Sequence, residues 1–284
     1  TEPRLSPGGE HLAWAESEAG VAWLTLQRAD GTRTTLATSP ALRPGRGLGG
    51  GGWCFTPDGA TIVYVGADGN VWRQALSGAA PVPLTAHGPE RSSSGPHVSP
   101  DGAYVVHVVD QAEVWVVELG SGATRRLDPG TADFCLDPWV GDDGTVRWQA
   151  WNVPDMPWDH SRVQWVSLAG GDGGELVGAG AVQRPRQLPD GTPVCVRDDT
   201  GWLNVWVGEQ PLTGAAGEPF EHAGPTWGAG QRSYAWSPDG TSIAFTRNGR
   251  GFGRLCVADR ATRAVHEIAR GVHGQLSWEG TRLT

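Results

Sequence analysis

Trp236-Ser237-Pro238-Asp239-Gly240, entered from an apolar run over 233–237 and left through Ser242 to Arg247, decides the fold. Proline fixes φ at the start of such a turn, aspartate bonds its own backbone, and glycine accepts the positive φ that other residues resist. Ile243 and Phe245 alternate along the exit, so the turn closes a β-hairpin. Versions of this turn stand at Leu5-Ser6-Pro7-Gly8-Gly9, Phe55-Thr56-Pro57-Asp58-Gly59, Val98-Ser99-Pro100-Asp101-Gly102, Val140-Gly141-Asp142-Asp143-Gly144 and Leu188-Pro189-Asp190-Gly191, with a weaker copy at Ser277-Trp278-Glu279-Gly280. Aligned on the final glycine, the spacings are 50, 43, 42, 47, 49 and 40 residues, and a period of this size marks a repeat architecture.

Beyond each hairpin comes a third run, at 70–76, 113–119, 162–168, 203–208 and 254–259, and then a shorter fourth such as 265–268. Four antiparallel strands per repeat make the blade of a β-propeller, and stacking blades around an axis buries the faces that one blade cannot bury alone. The expected fold is all-β. It is one propeller domain over 1–284, with blades near 2–38, 48–86, 94–128, 133–178, 182–213 and 230–269 and a partial seventh at 272–284. Only Glu2 to Ser6 precede the first turn and the seventh copy stops at Thr284, so its open edge is expected to take strands from another segment or chain. Trp14, Trp72, Trp115, Trp148, Trp165, Trp206 and Trp236 fall inside predicted strands, where inter-blade packing is the reading ahead of a ligand cage.

Composition agrees. The 284 residues include 43 Gly and 21 Pro, too many for a helical fold, and 15 Trp against one Met, so the apolar mass is in rigid rings. The glycine-rich stretch 45–52 is expected to be a mobile connection. A net charge of −9, with every basic residue an arginine, argues against nucleic-acid binding. No run of 18 apolar residues and no charged-then-apolar N-terminal segment occurs, which reads as a soluble, cytoplasmic chain without membrane contact. Cys54, Cys135, Cys195 and Cys256 lack both zinc-site spacing and disulfide density and read as buried free thiols.

Catalytic patterns are missing. There is no GxSxG elbow, HExxH, P-loop or GxGxxG, and the eight histidines have no ligand spacing, so no catalytic residue, metal or cofactor is expected. Asp142, Asp143, Asp198 and Asp199 read as turn formers and solvated loop charges. Two segments depart from the repeat: 151–160, between the second and third strands of the fourth blade, and 218–228, a connection into the sixth blade. Loops on a rigid scaffold gather binding residues, so Glu221, His222, Trp227, Trp158 and Asp159 are the substrate-binding candidates, with Glu221 placed to receive an ammonium group. The competing reading of Glu221 is a carboxylate that bonds backbone amides at a blade junction.

Gly49 to Trp53, Asp133-Phe134, Trp151 to Asp159, Asp198 to Trp206, and Glu221 through Pro225-Thr226-Trp227-Gly228 resemble, in this order, the N-terminal propeller of the prolyl oligopeptidase family, in its bacterial dipeptidyl-aminopeptidase and acylaminoacyl-peptidase-like branch. Asn152, Val153 and Ala229 depart from the family pattern, which more often has Asp or Glu with His at the first two and an aromatic at the third. The resemblance implies a propeller that gates and binds substrate for a serine peptidase. Its partner would be an α/β-hydrolase domain, in the same gene or a separate chain, and its substrate a peptide, with oligomerisation left open. No triad residue carries over to this chain. The alternative is a free-standing propeller that binds a ligand or protein, or one recruited to a non-peptidase reaction.

Overall fold

The computed structural model describes residues 1–45, 51–213 and 219–284, and residues 46–50 of the glycine-rich stretch lie outside the described set. Among the described residues there is no helix, hence none long and apolar enough to cross a membrane. Five four-stranded antiparallel sheets follow one another along the chain. The first, for example, runs Arg4–Leu5, Leu12–Glu18, Val21–Gln27 and Arg33–Leu36, so the few residues ahead of its turn do supply an inner strand. A sixth sheet adds a fifth short strand, and a two-stranded sheet, Trp278–Glu279 with Arg282–Leu283, forms a partial seventh blade.

The turns work as their chemistry demands. Gly59, Gly102 and Gly240 have φ of 67°, 72° and 69°, and each donates its amide to the carbonyl three residues back at 2.7–2.9 Å. Asp58, Asp101 and Asp239 each accept, through Oδ1, the amide two residues on and the hydroxyl of Thr56, Ser99 or Ser237. These bonds favour the ionised form, so the three carboxyls sit below the ordinary aspartate pKa.

A second repeat lies on the inner strands. Glu2, Gly95, Asp137 and Arg184 all have positive φ, between 54° and 60°. Each stands seven positions ahead of its turn glycine and directly before a proline. In the third, fourth and fifth blades the register slips at this point, which is a β-bulge. Proline fits there because it has no N–H to lose from the ladder. The bulges bring Glu2, Asp137 and Arg184 to one level of the ring and turn them toward their neighbours.

All seven tryptophans expected in strands lie in strands. Trp148 is fully buried, and Trp72, Trp206 and Trp236 pack partly buried against core clusters, while Trp53, Trp139 and Trp151, outside that set, are buried too. Trp14, Trp72 and Trp115 are half-buried, with ring N–H groups on the carboxylates of Glu16, Asp68 and Glu113. Strand position alone does not decide this, since Trp14 and Trp148 both stand on second strands and Trp236, partly buried, stands on an inner one.

The seventh sheet sits between the sixth and first blades. Leu276, Trp278 and Leu283 pack on Ala235 and Ala244, while Leu5 N–H donates to Ser277 Oγ at 3.1 Å and Arg282 Nη1 to the Gly9 carbonyl at 2.8 Å.

All four cysteines are buried and unbridged, Cys54 and Cys135 on inner strands, Cys195 on a second and Cys256 on a third. Burial pushes the thiols of Cys54 up to about 11 and of Cys135 and Cys195 to about 12. Thiol reagents should therefore label none of them rapidly in the native protein and all four in denaturant. Fast native labelling of two or more would contradict this packing.

Candidate functional site

Strand polarity puts the two departing segments at one end of the ring, opposite the Ser-Pro-Asp-Gly turns. Segment 151–160 links Thr145–Trp151 to Arg162–Ser167, as expected. It is latched at its start: Trp151 stacks on Phe134 with centroids 5.0 Å apart, and Asp133 Oδ2 accepts the Val153 amide at 2.9 Å. Asn152 receives Arg162 Nη1 at 2.8 Å and donates to the Thr131 carbonyl at 3.2 Å, so this departure from the family pattern is tied into the loop. Asp159 caps its own turn, accepting the Met156 amide at 3.2 Å.

The second segment differs from the expected linker. Phe220–Glu221 already pairs with the end of Ser242–Gly249, and Tyr234–Trp236 pairs with its start. The sixth blade therefore opens at Phe220, not near 230, and residues 222–233 form an excursion from its inner edge. That excursion straps the ring. Thr226 Oγ1 bonds Gln149 Oε1 at 3.0 Å in the fourth blade and Gln183 Oε1 in the fifth. The Gly230 amide bonds Asp137 Oδ1, and Arg184 Nη2 reaches the Gly224 carbonyl at 2.9 Å. Ala229 packs on Leu136 and Trp151, 3.5 Å from where a Cβ on Gly95 would stand. Ala229 also lines a cavity at this end of the ring, and nothing in the structure explains this second departure.

Trp158 and Trp227 come together across the two segments, with centroids 4.5 Å apart and planes at 48°. Trp227 stays 54% exposed and, with Leu136, Ser93, Asp110 and Gln111, walls a cavity of about 240 Å³.

Glu221 and His222 do different work. His222 is buried against Phe245, 4.5 Å between centroids, and its Nδ1 accepts the Val205 amide at 3.3 Å. Burial, with the Arg247 charge adding, lowers its pKa to about 3, so it is a neutral packing element between the fifth and sixth blades. Glu221 is half-buried and accepts the Leu203 amide at 2.7 Å through Oε2. Its pKa is raised by burial; the Leu203 amide opposes this, and the Asp198 charge adds to it. Asp198 is raised too, chiefly by burial, and it lies within electrostatic reach of His160. Its Oδ1 is buried with no partner among the described residues. Asp198, read from sequence as a turn former, is thus the residue that sequence reasoning missed. Glu221 and Asp198, both held above their ordinary pKa chiefly by burial and coupled by charge, make an acceptor for a cation. Among the described residues no group of three or more His, Cys, Asp or Glu is arranged to hold a metal.

These features define a bladed β-propeller whose loop end is strapped and aromatic, with acidic groups at one side. It is similar over its whole length to puromycin hydrolase, with a TM-score of 0.79 and 26% identity, covering 49% of that chain. It is likewise similar to a puromycin-hydrolyzing peptidase of Mycobacterium tuberculosis, at 0.83 and 26%, covering 48% of that chain. The chain thus spans about half the length of each. A prolyl endopeptidase structure matches over 95% of this chain and 42% of its own, at 0.64 and 14%, a likeness of fold alone. The resemblance to peptidase propellers read from the motifs is present in the structure. No protein-family model matches the sequence, and no curated protein does.

Proposed function

We propose that this chain is the substrate-gating, substrate-binding propeller of a serine peptidase of the prolyl oligopeptidase type, working with a hydrolase domain that carries the catalytic triad. The observation that carries the reading is the whole-chain likeness to two puromycin-hydrolysing structures at 26% identity, each about twice as long. The acidic pair adds the chemistry. A substrate's free ammonium group brought into a partly dry loop end needs a carboxylate, since burying that charge alone is costly. In the proposal Glu221 and Asp198 supply the acceptors, and the Trp158–Trp227 pair, on the same end of the ring, supplies an apolar surface for the rest of the peptide. The strap from 222 to 233 lies across the ring, so its role in the proposal is to restrict which peptides pass.

Calorimetry with short peptides tests this on the chain itself. Peptides with a free amino end are expected to bind, and their N-acetylated forms to bind about tenfold or more weakly, the cost of leaving one carboxylate unpaired. Glu221→Gln and Asp198→Asn should each erase the difference while leaving the melting temperature within a few degrees. Equal binding of free and blocked peptides, or a melting-temperature loss with selectivity intact, would assign Glu221 to the blade junction alone.

A further inference from the structure

Deeper in the ring, the inner-strand bulges gather charge. Arg4, Arg184, Arg186 and Arg232 act electrostatically on one another and on Glu2 and Asp137. Four cations against two carboxylates leave an excess of +2, or +1 if Glu279 on the rim is counted. Among the described residues neither inner carboxylate forms an ion pair with them. Glu2 accepts the Gly45 and Gly52 amides at 3.4 and 3.3 Å, and Asp137 Oδ1 accepts the Gly230 amide.

The arginines are held instead by neutral groups. Arg184 donates to Ser233 Oγ at 2.9 Å and the Gly224 carbonyl at 2.9 Å, and Arg232 to the carbonyls of Leu276 at 3.0 Å and Pro3 at 2.6 Å. Among the described residues Arg186 reaches only the Pro185 carbonyl, at 2.7 Å, and Arg4 lies over the Trp53 ring, 5.4 Å from its centroid. Among the same residues Arg184 Nε, Arg232 Nη1 and Arg4 Nε are buried without an acceptor, and Arg184 is 2% exposed. Burial lowers the pKa of Arg184 to about 10, still far above neutrality, so the guanidinium stays charged. Arg4, Arg186 and Arg232 are each partly exposed. Arg184, Arg186 and Arg232 line a cavity of about 170 Å³ together with Glu279 and the rings of Trp236 and Trp278, and Arg4 stands outside that lining.

Unsatisfied buried donors and uncompensated buried charge are both costly, and one occupant relieves both. We propose that this arginine-lined cavity binds a small oxyanion, a carboxylate or a phosphate. Guanidinium forks match two oxygens of either group, which gives the site its preference over a halide. The bulge repeat explains its construction: Arg184 stands at a bulge, as Glu2 and Asp137 do, and Arg186 and Arg4 each follow two positions on.

Inorganic phosphate is the first probe, titrated calorimetrically into the protein in chloride buffer. One equivalent is expected to bind, and Arg186→Gln to weaken it about tenfold, the typical loss for one charge-assisted contact. Arg186 is chosen because it spends only one bond on the fold; Arg270→Gln, on an exposed side chain, should change nothing. An N-acetyl dipeptide acid and its amide separate the sources: displacement of phosphate by the acid alone assigns the site to a peptide carboxyl end, and no displacement by either assigns it to a free oxyanion. Absence of saturable binding by both phosphate and the acid, or identical phosphate affinity in Arg186→Gln, overturns the proposal.

Discussion

Acidification from pH 7 to pH 5 is expected to remove about 4 kcal/mol of unfolding free energy, roughly 2 from each of two buried histidines. His107 and His222 are 1% and 0% exposed. Burial lowers both to about 3, with the His87 charge adding at His107 and the Arg247 charge at His222. An unfolded histidine titrates near 6.5, so between about 6.5 and 3 the unfolded chain binds protons that the native one refuses. The stability these groups contribute is present above pH 6.5 and is lost as pH falls toward 3. Glu221, Asp198 and Glu279, whose folded pKa values are raised, act with the opposite sign, gaining stability as they protonate. Asp143 and Asp190, held at about 2, lose theirs only below the ordinary aspartate range. His97, lowered to about 3 by burial and by the charges of Arg186 and Arg4, moves stability in the same direction. Against a typical stability of about 5–15 kcal/mol the loss is large. Urea unfolding at the two pH values measures it, and His107→Gln with His222→Asn should flatten the difference. Equal midpoints at pH 7 and pH 5 in the wild type would refute the account.

The blades were legible because their punctuation is local. Asp58, Asp101 and Asp239 each bond an amide two residues on, so five residues suffice to recognise the turn wherever it recurs. The bulge repeat was equally local, with proline after Glu2, Gly95, Asp137 and Arg184 at a fixed distance from the turn glycine, yet it passes unread when the eye is on the turns. What was not legible depends on distance across the ring. Phe220–Glu221 is too short to read as a strand, and its partner, Asn248–Gly249, lies beyond the twelve-residue strap. Asp198 has the same sequence context as any turn aspartate, and only the fold places Glu221 and His160 near it. Burial of a tryptophan likewise depends on what the adjoining blade packs over it: Trp14 and Trp148 share a second-strand position, and only Trp148 is enclosed.

The strap gives the candidate site and the oxyanion cavity a common support. Gln231 Oε1 accepts from Arg184 at 3.0 Å and from the Trp227 amide at 3.3 Å, so the segment that positions Trp227 at the loop end also holds an arginine of the cavity.

Trp148→Ala is expected to cost about 3–5 kcal/mol, enough to leave the protein marginal at 37 °C. The ring is 0% exposed and packs among Val106, Val108, Val114 and Cys135, so it holds the third blade to the fourth. Its indole N–H donates to Gln164 Oε1 at 3.2 Å, and Gln164 Nε2 in turn reaches Thr131 Oγ1 at 3.0 Å. Truncation therefore opens a cavity and strands a buried acceptor, two penalties that neighbouring valines, stiff at χ1, cannot relax to cover. Trp148→Phe keeps most of the ring and should lose mainly the hydrogen bond, about 1–2 kcal/mol. Trp165, on the next strand and half-buried, should cost clearly less than Trp148 when cut to alanine. Guanidinium unfolding of the three variants orders them. Should Trp165→Ala cost as much as Trp148→Ala, inter-blade burial would not be what sets the value of a tryptophan here, because both rings have similar area and differ mainly in how far the adjoining blade encloses them.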